Sequence, residues 1–583
     1  MPSDEAIVSS AASAISHREA QQKDSDALEG RGFCLSPLDI WLCLLLLSVL
    51  GWYVRAHLDM VGRPEEDAAM LLRYSSHLAS GHGIVWNIGE PPVDGATDFL
   101  FMVLVAGLAR LGLDLETAAR ALGLFAHALT VLLVFVGARR AHGAPAVWAV
   151  VPAAFLLFGP GLRHLAACYG TPLFALTALL AWLAATRLST VEAGREGRAA
   201  LVFAVACLVM GLARPEGVFL AGFMLVAVLV ARNGSGGFVI ASRFCIVFLT
   251  LGLAYFLWRW QYFAHPLPNP FYKKGAGVLH WHSLRQSIRN MWVLAMPFLA
   301  LIPFGLVVRS ARRAVMFVAI PVLLFAALFI LISDETNYVF RFRYPVLPVL
   351  LVGLVPVAQA LAAAFSTSAT ARRLESLGGW LVDSGARRRL LSTTVAVTLA
   401  AILAVAQHRA YRYVAPQRMG LHDLGLVLHE YARRGFSLVT TEAGLLPLYS
   451  EWRAVDAWGL NDSHIAHAGG VDEAYLEGYR PEVITFHAYF SPGVADHGPR
   501  VESRSLGLPW YRMVMTLKGY AERRGYVLAA CFGRNEWDTH YYYVRTGFPQ
   551  STEIVSKIRA LDYRWDGETT VDFAADAKQP TPE

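Results

Sequence analysis

Long apolar runs separated by short polar loops dominate the chain between Ser36 and Ala406. The first run, Ser36–Val54, contains one acidic residue and no basic residue. It is long enough to cross a hydrocarbon core of about 30 Å. Similar runs follow at Thr117–Gly137, Ala144–Phe158, Pro172–Thr186, Ala199–Ala213, Val218–Arg232, Phe238–Phe263, Met291–Val308, Val315–Ile332, Val346–Ala364 and Leu390–Ala406. The pattern predicts a polytopic α-helical membrane protein with about eleven transmembrane helices.

One further apolar run, Phe99–Gly112, is only about 14 residues long and suits a re-entrant or interfacial helix better than a full span. If it does not cross, Arg139, Arg140 and the later arginine clusters all fall on the side of the amino terminus. The positive-inside rule favours that arrangement, with the amino terminus in the cytoplasm. The outer face then carries the loops Arg55–Asp98, Ala264–Asn290 and Ser333–Tyr344 and the whole chain after about His408.

The carboxyl-terminal part of the chain has ordinary polarity and alternating apolar stretches such as Glu482–His487 and Tyr541–Thr546. Helical segments such as Leu421–Arg434 lie between them, which is typical of a compact α/β domain. The predicted organisation follows from these changes in composition. It comprises a disordered cytoplasmic tail at 1–35, a membrane domain at 36–408 with its first outer loop at 55–98, an outer α/β domain at 409–571 and a flexible end at 572–583.

Composition supports this class of protein. Among 583 residues, 55% are hydrophobic and only 16% are charged, and the mean hydropathy is +0.42. A soluble domain usually has about a quarter of its residues charged, so the composition excludes a purely soluble enzyme. The net charge of +6 comes from basic residues in short loops between apolar runs. We therefore expect membrane lipids, and no nucleic acid, as partners.

The first outer loop contains the densest group of polar residues. Glu65, Glu66 and Asp67 follow the first span closely and precede a helix-compatible stretch that contains Arg73. Acidic residues at a helix start can simply complement the helix dipole. They can also be catalytic, because a carboxylate here faces water at the membrane surface. The loop alone leaves both interpretations open.

This loop resembles the first periplasmic loop of the GT-C glycosyltransferases, in particular the mycobacterial terminal β-(1→2)-arabinofuranosyltransferases and related bacterial membrane enzymes. Glu66-Asp67 stands at the family's acidic pair, Arg73-Tyr74 at its R-Y, and Gly81–Asn87 with Gly89-Glu90 at its glycine segment. Further matching motifs follow in order at Asp94-Gly95, Ala213–Gly217, Leu267–Lys273, Arg341–Tyr344, Thr441–Pro447 and Asp456–Ile465. Each motif is weak alone, but their shared order makes the resemblance strong.

The resemblance implies the GT-C fold and transfer of a sugar, arabinofuranose or a hexose, from a polyprenyl-phosphate donor with inversion. The acceptor would be a cell-envelope glycan or glycolipid at the outer face of a bacterial inner membrane. An acceptor alcohol needs a base to remove its proton. We expect Asp67 to be that base and Glu66 to assist it. The sequence indicates no certain cofactor. A divalent cation, Mg or Mn, stays open, with Asp67 and Glu66 as its ligands.

A phosphate leaving group calls for cationic side chains at the membrane interface. The residues expected to bind donor phosphate or sugar are Lys273, Arg341, Arg343, Arg259, Tyr272, Asn269, Arg73 and His82. Those expected on the acceptor side are Asp94, Glu442 and Trp458. For any one of the lysines and arginines in the donor-binding group, contact with lipid headgroups is the simpler role. It is favoured for Lys274, which has no counterpart in the family. For Arg214 and Glu216, a structural ion pair is as plausible as donor binding.

The chain also departs from the family pattern. Gly170 stands where the family has a glutamate, and Asp98 stands at the usual asparagine. If that glutamate places the acceptor or a metal in the family, this protein does so by other residues or has another specificity. The departure also leaves open an inactive relative that serves as an envelope scaffold. A transporter or flippase for a lipid-linked sugar is a further alternative. Transporters often contain inverted repeats and interrupted helices, and no internal repeat is visible in this sequence.

Overall fold

The computed structural model describes residues 35–275, 277, 279–331, 337–366, 385–412, 419–494 and 507–575. Residues up to Val49 and residues from Leu50 onward form two units. The predicted disordered tail lies almost entirely outside the described residues, as does most of the predicted flexible end.

The chain before the carboxyl-terminal sheet is built almost entirely from helices. They are α1 Pro37–His57, α2 Glu66–Ala79, α3 Phe99–Arg110, α4 Leu115–Val136, α5 Ala146–Leu157, α6 Gly161–Ala166, α7 Thr171–Thr190, α8 Glu196–Ala213, α9 Glu216–Ala231, α10 Gly237–Val247, α11 Leu253–Phe263, α12 Asn269–Gly275, α13 Trp281–Ala295, α14 Leu301–Val307, α15 Arg312–Leu328, α16 Leu347–Gly353, α17 Val355–Ser366, α18 Gly385–Tyr411 and α19 Met419–His429. Two single-turn π-helices, Gly137–Ala141 and Phe248–Gly252, continue α4 and join α10 to α11.

The structure confirms a polytopic helical membrane protein. Within the described residues, seven helices are long and apolar enough to cross a membrane. The number is eight if the pair Trp281–Ala295 and Phe298–Val307, bent by 105°, counts as one span. Three shorter apolar helices are α3, α5 and α9. The sequence predicted about eleven spans, because it counted apolar runs that fold into helices shorter than a bilayer needs.

Helix α3 corresponds to the run predicted to be re-entrant or interfacial. It has 12 residues, which at 1.5 Å per residue gives a length of about 18 Å. That is well short of the hydrocarbon thickness of about 30 Å. Its length is therefore consistent with the predicted topology.

The carboxyl-terminal region forms an α/β structure, as predicted. Its elements are β1 Ser437–Thr440, α20 Leu445–Ser450, β2 Arg453–Asp456, α21 Ser463–Ala468, α22 Glu473–Tyr479, β3 Val483–Ala488, α23 Gly507–Arg523, β4 Val527–Asn535, β5 Asp538–Val544, α24 Ser551–Arg559, β6 Arg564–Trp565, β7 Glu568–Thr569 and β8 Val571–Asp572. Six strands form one sheet in the order β2-β1-β3-β5-β4-β8. β1 pairs in parallel with β2 and β3, whereas β5, β4 and β8 are antiparallel to their neighbours.

One hydrophobic core runs from the first outer loop into this α/β region. Leu72 of α2 and Trp86 of the loop belong to the same buried cluster as Leu446 and Trp452. Burial of large apolar side chains is the main driving force for such packing. The sheet is therefore fixed on the loop that carries the acidic residues. The exact domain boundaries remain a prediction.

Candidate active site

A pocket with a cavity volume of about 150 Å³ lies beside the first outer loop. Three carboxylates and three cations line it: Asp67, Asp98, Glu216, Arg214, Lys274 and Arg341. The rest of the lining is largely apolar and includes residues of α2, α9 and α12, the residue before α12, and two phenylalanines from later in the chain: Phe219, Pro268, Pro270, Phe271, Phe329 and Phe342. The pocket therefore has a charged part with balanced formal charge and an adjoining apolar wall.

Asp67 lies in the first turn of α2, where the Glu65 side chain accepts a hydrogen bond of 3.0 Å from the Asp67 backbone N–H and so caps the helix. The Asp67 carboxylate pairs with Arg341, and 24% of its side chain is exposed. Burial by itself raises the pKa of Asp67, but the charges of Arg341 and Lys274 outweigh it and hold that pKa below the usual value. Asp67 is therefore ionised and partly accessible at neutral pH.

Arg341 is held on both sides. Its guanidinium lies over the rings of Tyr169 and Phe342, at 4.6 and 4.8 Å from their centroids. Tyr169 in turn donates its hydroxyl hydrogen bond to Glu65. These contacts orient the Arg341 guanidinium toward Asp67 and the cavity.

A second ion-pair group also lines the pocket. Arg214 pairs with Asp98 and donates to both oxygens of Glu216 at 3.2 and 3.0 Å. Burial, partly offset by Arg214, raises the pKa of Asp98. Arg214 and Glu216 thus form an ion pair and also line the pocket, so the two roles weighed from the sequence are compatible.

Asp98 lies next to Gly170, the residue that stands where the family has a glutamate. A Cβ atom at Gly170 would lie 2.6 Å from Asp98 Oδ2 and 2.9 Å from Phe101 Cγ, too close for any larger side chain without rearrangement. Asp98 therefore brings a carboxylate to the space beside residue 170. The two departures from the family pattern are spatial neighbours.

Lys273 and Lys274 point to different surroundings. Lys274 lines the pocket and acts electrostatically on Asp67. Lys273 lies 4.5 Å from the ring centroid of Trp458, and burial lowers the pKa of Lys273. The sequence favoured Lys273 as the donor-binding residue, whereas the structure brings Lys274 to the pocket.

Two other expected cations do not line the pocket and have partners of their own. Arg343 is fully buried, lies 3.7 Å from the Phe329 ring centroid and donates to Ser287 at 3.0 Å. Arg259 pairs with both oxygens of Asp94 at 2.7 and 2.6 Å. Asp94, expected on the acceptor side, is thus the partner of Arg259.

Glu66 and Arg73 join the first loop to the α/β region. The Glu66 carboxylate accepts from the backbone N–H groups of Gly444 and Leu445 at 2.6 and 3.1 Å. A Cβ atom at Gly444 would lie 1.8 Å from the Glu66 carbonyl oxygen, so only glycine permits this approach. Arg73 donates to the carbonyl oxygens of Trp86, Pro447 and Trp452 and to Asn87 Oδ1.

The remaining expected residues lie outside the pocket lining. His82 is exposed on the loop. The ring of Tyr272 lies 4.5 Å from that of His467, and Asn269 is fully buried, with its backbone N–H bonded to the Asp94 carbonyl oxygen at 2.9 Å. Glu442 lies beside His487, 3.5 Å from Nδ1. Their functional roles stay predictions.

The arrangement does not favour a cation shared by Asp67 and Glu66. Their carboxylates have different partners, a guanidinium for Asp67 and two backbone N–H groups for Glu66. Among the described residues, the group of three side chains with suitable metal-ligand atoms is Glu442, His487 and His540. A Mg or Mn ion shared by Asp67 and Glu66, which the sequence left open, therefore does not fit this arrangement.

Sequence reasoning gave too little weight to Asp98 and Lys274 and did not single out Tyr169. The Ala213–Gly217 motif drew attention to Arg214, but nothing in it indicated that residue 214 meets residue 98. The sequence feature that could have indicated Lys274 is its position next to Lys273, the lysine of the motif Leu267–Lys273.

The fold is similar to that of several solved structures. ArnT from Cupriavidus metallidurans bound to undecaprenyl phosphate superposes with a TM-score of 0.53 at 13% identity, over 88% of this chain and 99% of that chain. Its apo form gives a TM-score of 0.51 at 15% identity with the same coverage. ArnT is a GT-C glycosyltransferase. This chain has the GT-C fold.

Arabinofuranosyltransferase AftD from Mycobacteria is also similar, with a TM-score of 0.42 and 16% identity over 89% of this chain and 40% of that chain. Residues 405–551 match a family described as Domain of unknown function (DUF8728). No match was found among curated protein sequences. The similarity to ArnT confirms the predicted GT-C fold.

Proposed function

We propose that the protein transfers a sugar from a polyprenyl-phosphate donor to a hydroxyl group of an envelope glycan or glycolipid. The observation that carries the proposal is the pocket in which the ionised Asp67 faces Arg341 and Lys274. A base for the acceptor and cations for the leaving phosphate are the groups that this reaction requires. The GT-C fold shared with ArnT, which was crystallised with undecaprenyl phosphate, supports the same class of donor.

The apolar wall suits the lipid part of such a donor. Phe219 and Phe271 line the pocket and are 47% and 38% exposed. Phe219 lies near the start of α9, an apolar helix in which many outward side chains are aliphatic or aromatic. A prenyl chain bound along these rings would leave its phosphate at the charged part of the pocket. Amphipathic ligands are recognised by such neighbouring apolar and charged surfaces.

The proposed step needs one base and one cationic site. Asp67 accepts the proton of the acceptor hydroxyl. At the same time the hydroxyl oxygen attacks the anomeric carbon of the donor sugar from the face opposite the phosphate. The bond between the anomeric carbon and the phosphate oxygen breaks, and Arg341 and Lys274 stabilise the charge on the departing polyprenyl phosphate. The configuration at the anomeric carbon is inverted, and no cofactor is required for the balance of this step.

We place the reaction at the outer face of a bacterial inner membrane, with the amino terminus in the cytoplasm and the α/β region outside. This placement is supported by the arginine clusters, which fall in the loops on the side of the amino terminus. Arabinofuranose or a hexose is the proposed sugar, on the basis of the motif resemblance. Asp94, Glu442 and Trp458 remain proposed acceptor-side residues through their place around the first loop and the α/β region.

Replacing Lys274 tests the donor site against a matched neighbour. Lys274→Gln removes a cation from the pocket, so we expect polyprenyl-phosphate affinity to fall by roughly tenfold, the size of one charge-assisted contact. Lys273→Gln, at the adjacent residue that lies over Trp458, should weaken binding less. The measurement is binding of polyprenyl phosphate to the full protein in detergent, followed by turnover of the radiolabelled sugar donor. A larger loss in Lys273→Gln would contradict the assigned site.

Replacing Arg341 should shift the pH dependence of transfer. Asp67 must be ionised to act as base, so kcat/KM falls as pH decreases through its pKa in the free enzyme. Arg341 lowers that pKa, and Arg341→Gln should therefore move the acidic limb to higher pH. Arg232→Gln removes an arginine from a buried ion pair with Glu196 and should leave the limb in place. An unshifted limb in Arg341→Gln would show that another group titrates.

A further inference from the structure

We infer that Glu442, His487 and His540 form a zinc site at one edge of the α/β sheet. One potential ligand atom from each side chain lies within 4.8 Å of the others. The residues come from three adjacent strands in space, since Glu442 follows β1, His487 belongs to β3 and His540 belongs to β5. The three residues lie outside the lining of the Asp67 pocket. Glu442 is also a proposed acceptor-side residue, but the zinc inference does not depend on the proposed transfer reaction.

The hydrogen bonds of the two histidines prepare them for a metal. The Asp538 carboxylate can only accept, so His487 Nε2 donates to it at 2.7 Å, and in the neutral imidazole Nδ1 then carries the lone pair. His540 Nδ1 bonds to the Tyr563 hydroxyl at 2.7 Å, and the tautomer that donates there has its lone pair on Nε2. A histidine that binds metal through one nitrogen commonly donates from the other to such a partner.

His487 Nδ1 faces Glu442 Oε1 at 3.5 Å. In this tautomer a lone pair and a carboxylate face each other, which is unfavourable in a site where Glu442 and His487 are each only 11% exposed and His540 is 1% exposed. A cation between them removes the repulsion. The alternative is an imidazolium at His487, which needs no metal and is the rival that the experiment must exclude.

The donor set selects the type of cation. Two imidazole nitrogens and one carboxylate suit zinc, with one coordination position left for water or another ligand. Magnesium prefers oxygen ligands at short distances and is disfavoured. Ligands of a tetrahedral zinc ion are separated by about 3.4 Å, a value that follows from bond lengths of about 2.1 Å. Modest side-chain rotation brings the cluster from its present spacing to that value.

The surroundings keep the ligands in place. Arg534 holds Asp538 through two hydrogen bonds of 3.1 and 2.5 Å. Trp565 stacks on His540 with ring centroids 3.8 Å apart. Thr441 Oγ1 accepts from the His487 backbone N–H at 2.9 Å and so joins the ends of β1 and β3. Zinc at Glu442 would fix the segment that leads to Gly444, which binds Glu66 of α2.

The test uses the full protein without a histidine tag, stripped with a chelator and reloaded with ZnCl₂. We expect about one zinc per chain, a higher unfolding temperature with zinc than with magnesium, and cobalt absorption bands of a four-coordinate site. Glu442→Gln and His540→Ala should lose the zinc, and Asp538→Asn should weaken zinc binding by about 10–100-fold. His429→Ala, which alters the surface pair of His429 with Glu451 at 4.0 Å, should keep it.

The wild-type protein decides the question even if a ligand variant fails to fold. Absence of zinc uptake, with no change in unfolding temperature, would overturn the inference and favour the imidazolium at His487. Equal zinc content in the wild type, Glu442→Gln and His540→Ala would also overturn it, because the metal would then bind elsewhere.

Discussion

Asp67→Asn should abolish sugar transfer, with a loss in kcat/KM of about 10²–10⁴-fold. The amide keeps the size of the side chain but cannot accept a proton from the acceptor hydroxyl. Donor binding should change little, because Arg341 and Lys274 remain in the pocket. The measurement is turnover of a radiolabelled polyprenyl-phosphate sugar by purified protein, with donor binding measured in parallel.

Glu196→Gln is the matched control for this variant. Glu196 and Arg232 form a buried ion pair, with 3% and 5% of their side chains exposed. Glu196 starts α8, whose 18 residues end next to Arg214 of the pocket; at 1.5 Å per residue the two ends are about 27 Å apart. Losing this pair should lower stability but leave transfer per folded molecule unchanged. Full activity of Asp67→Asn would remove Asp67 as the base.

Arg73→Ala should be the most destabilising single substitution in the first loop, by about 3 kcal/mol or more. Arg73 is buried and donates to four acceptors, among them the carbonyl oxygens of Pro447 and Trp452. Burial lowers the pKa of Arg73 to about 10, so it stays charged at neutral pH. Its loss leaves these acceptors unsatisfied and removes the cation that lies 4.8 Å from the Trp86 ring centroid.

Thermal unfolding and protease sensitivity of the α/β region measure this effect. Arg110→Ala serves as the control, because Arg110 also donates to a carbonyl oxygen of the first loop, that of Ala79 at 3.0 Å, but is exposed. It should change stability by no more than about 0.5 kcal/mol. Equal effects of the two variants would show that Arg73 does not hold the loop to the sheet. Arg73→Lys should restore little stability, since one ammonium cannot reach four acceptors.

The general architecture was predictable because it depends on local patterns. Uninterrupted apolar runs predict spans, and the alternating stretch Glu482–His487 predicted β3 at Val483–Ala488. The number of spans was harder, since α5 and α9 are apolar but short. Hydropathy reports how apolar a run is, whereas the length of the helix also depends on where prolines, glycines and tertiary contacts end it.

The candidate site was predicted less well, because neighbouring residues on one helix point in different directions. Successive residues of an α-helix are about 100° apart around its axis, as 3.6 residues per turn requires. Glu66 therefore faces Gly444 while Asp67 faces Arg341. In α12, Lys273 likewise lies over Trp458 while Lys274 lines the pocket. A motif identifies such a pair but not which member enters the site.

Contacts between distant parts of the chain were the second obstacle. Arg214 meets Asp98 across 116 positions of sequence, and Arg341 meets Asp67 across 274. No local pattern encodes these pairings, which arise only when the helices pack. In the sequence, glycine at residue 170 indicated that a carboxylate of the family was missing. In the structure, the carboxylate of Asp98 lies next to residue 170.

A structure of the full protein bound to a non-transferable phosphonate analogue of a polyprenyl-phosphate sugar would show whether the donor binds at Asp67. We expect phosphonate oxygens within hydrogen-bonding distance of Arg341 and Lys274, the prenyl chain along Phe219 and Phe271, and the anomeric carbon facing Asp67. Lipid bound elsewhere, with the Asp67–Arg341 pair undisturbed at a concentration that saturates binding, would contradict it.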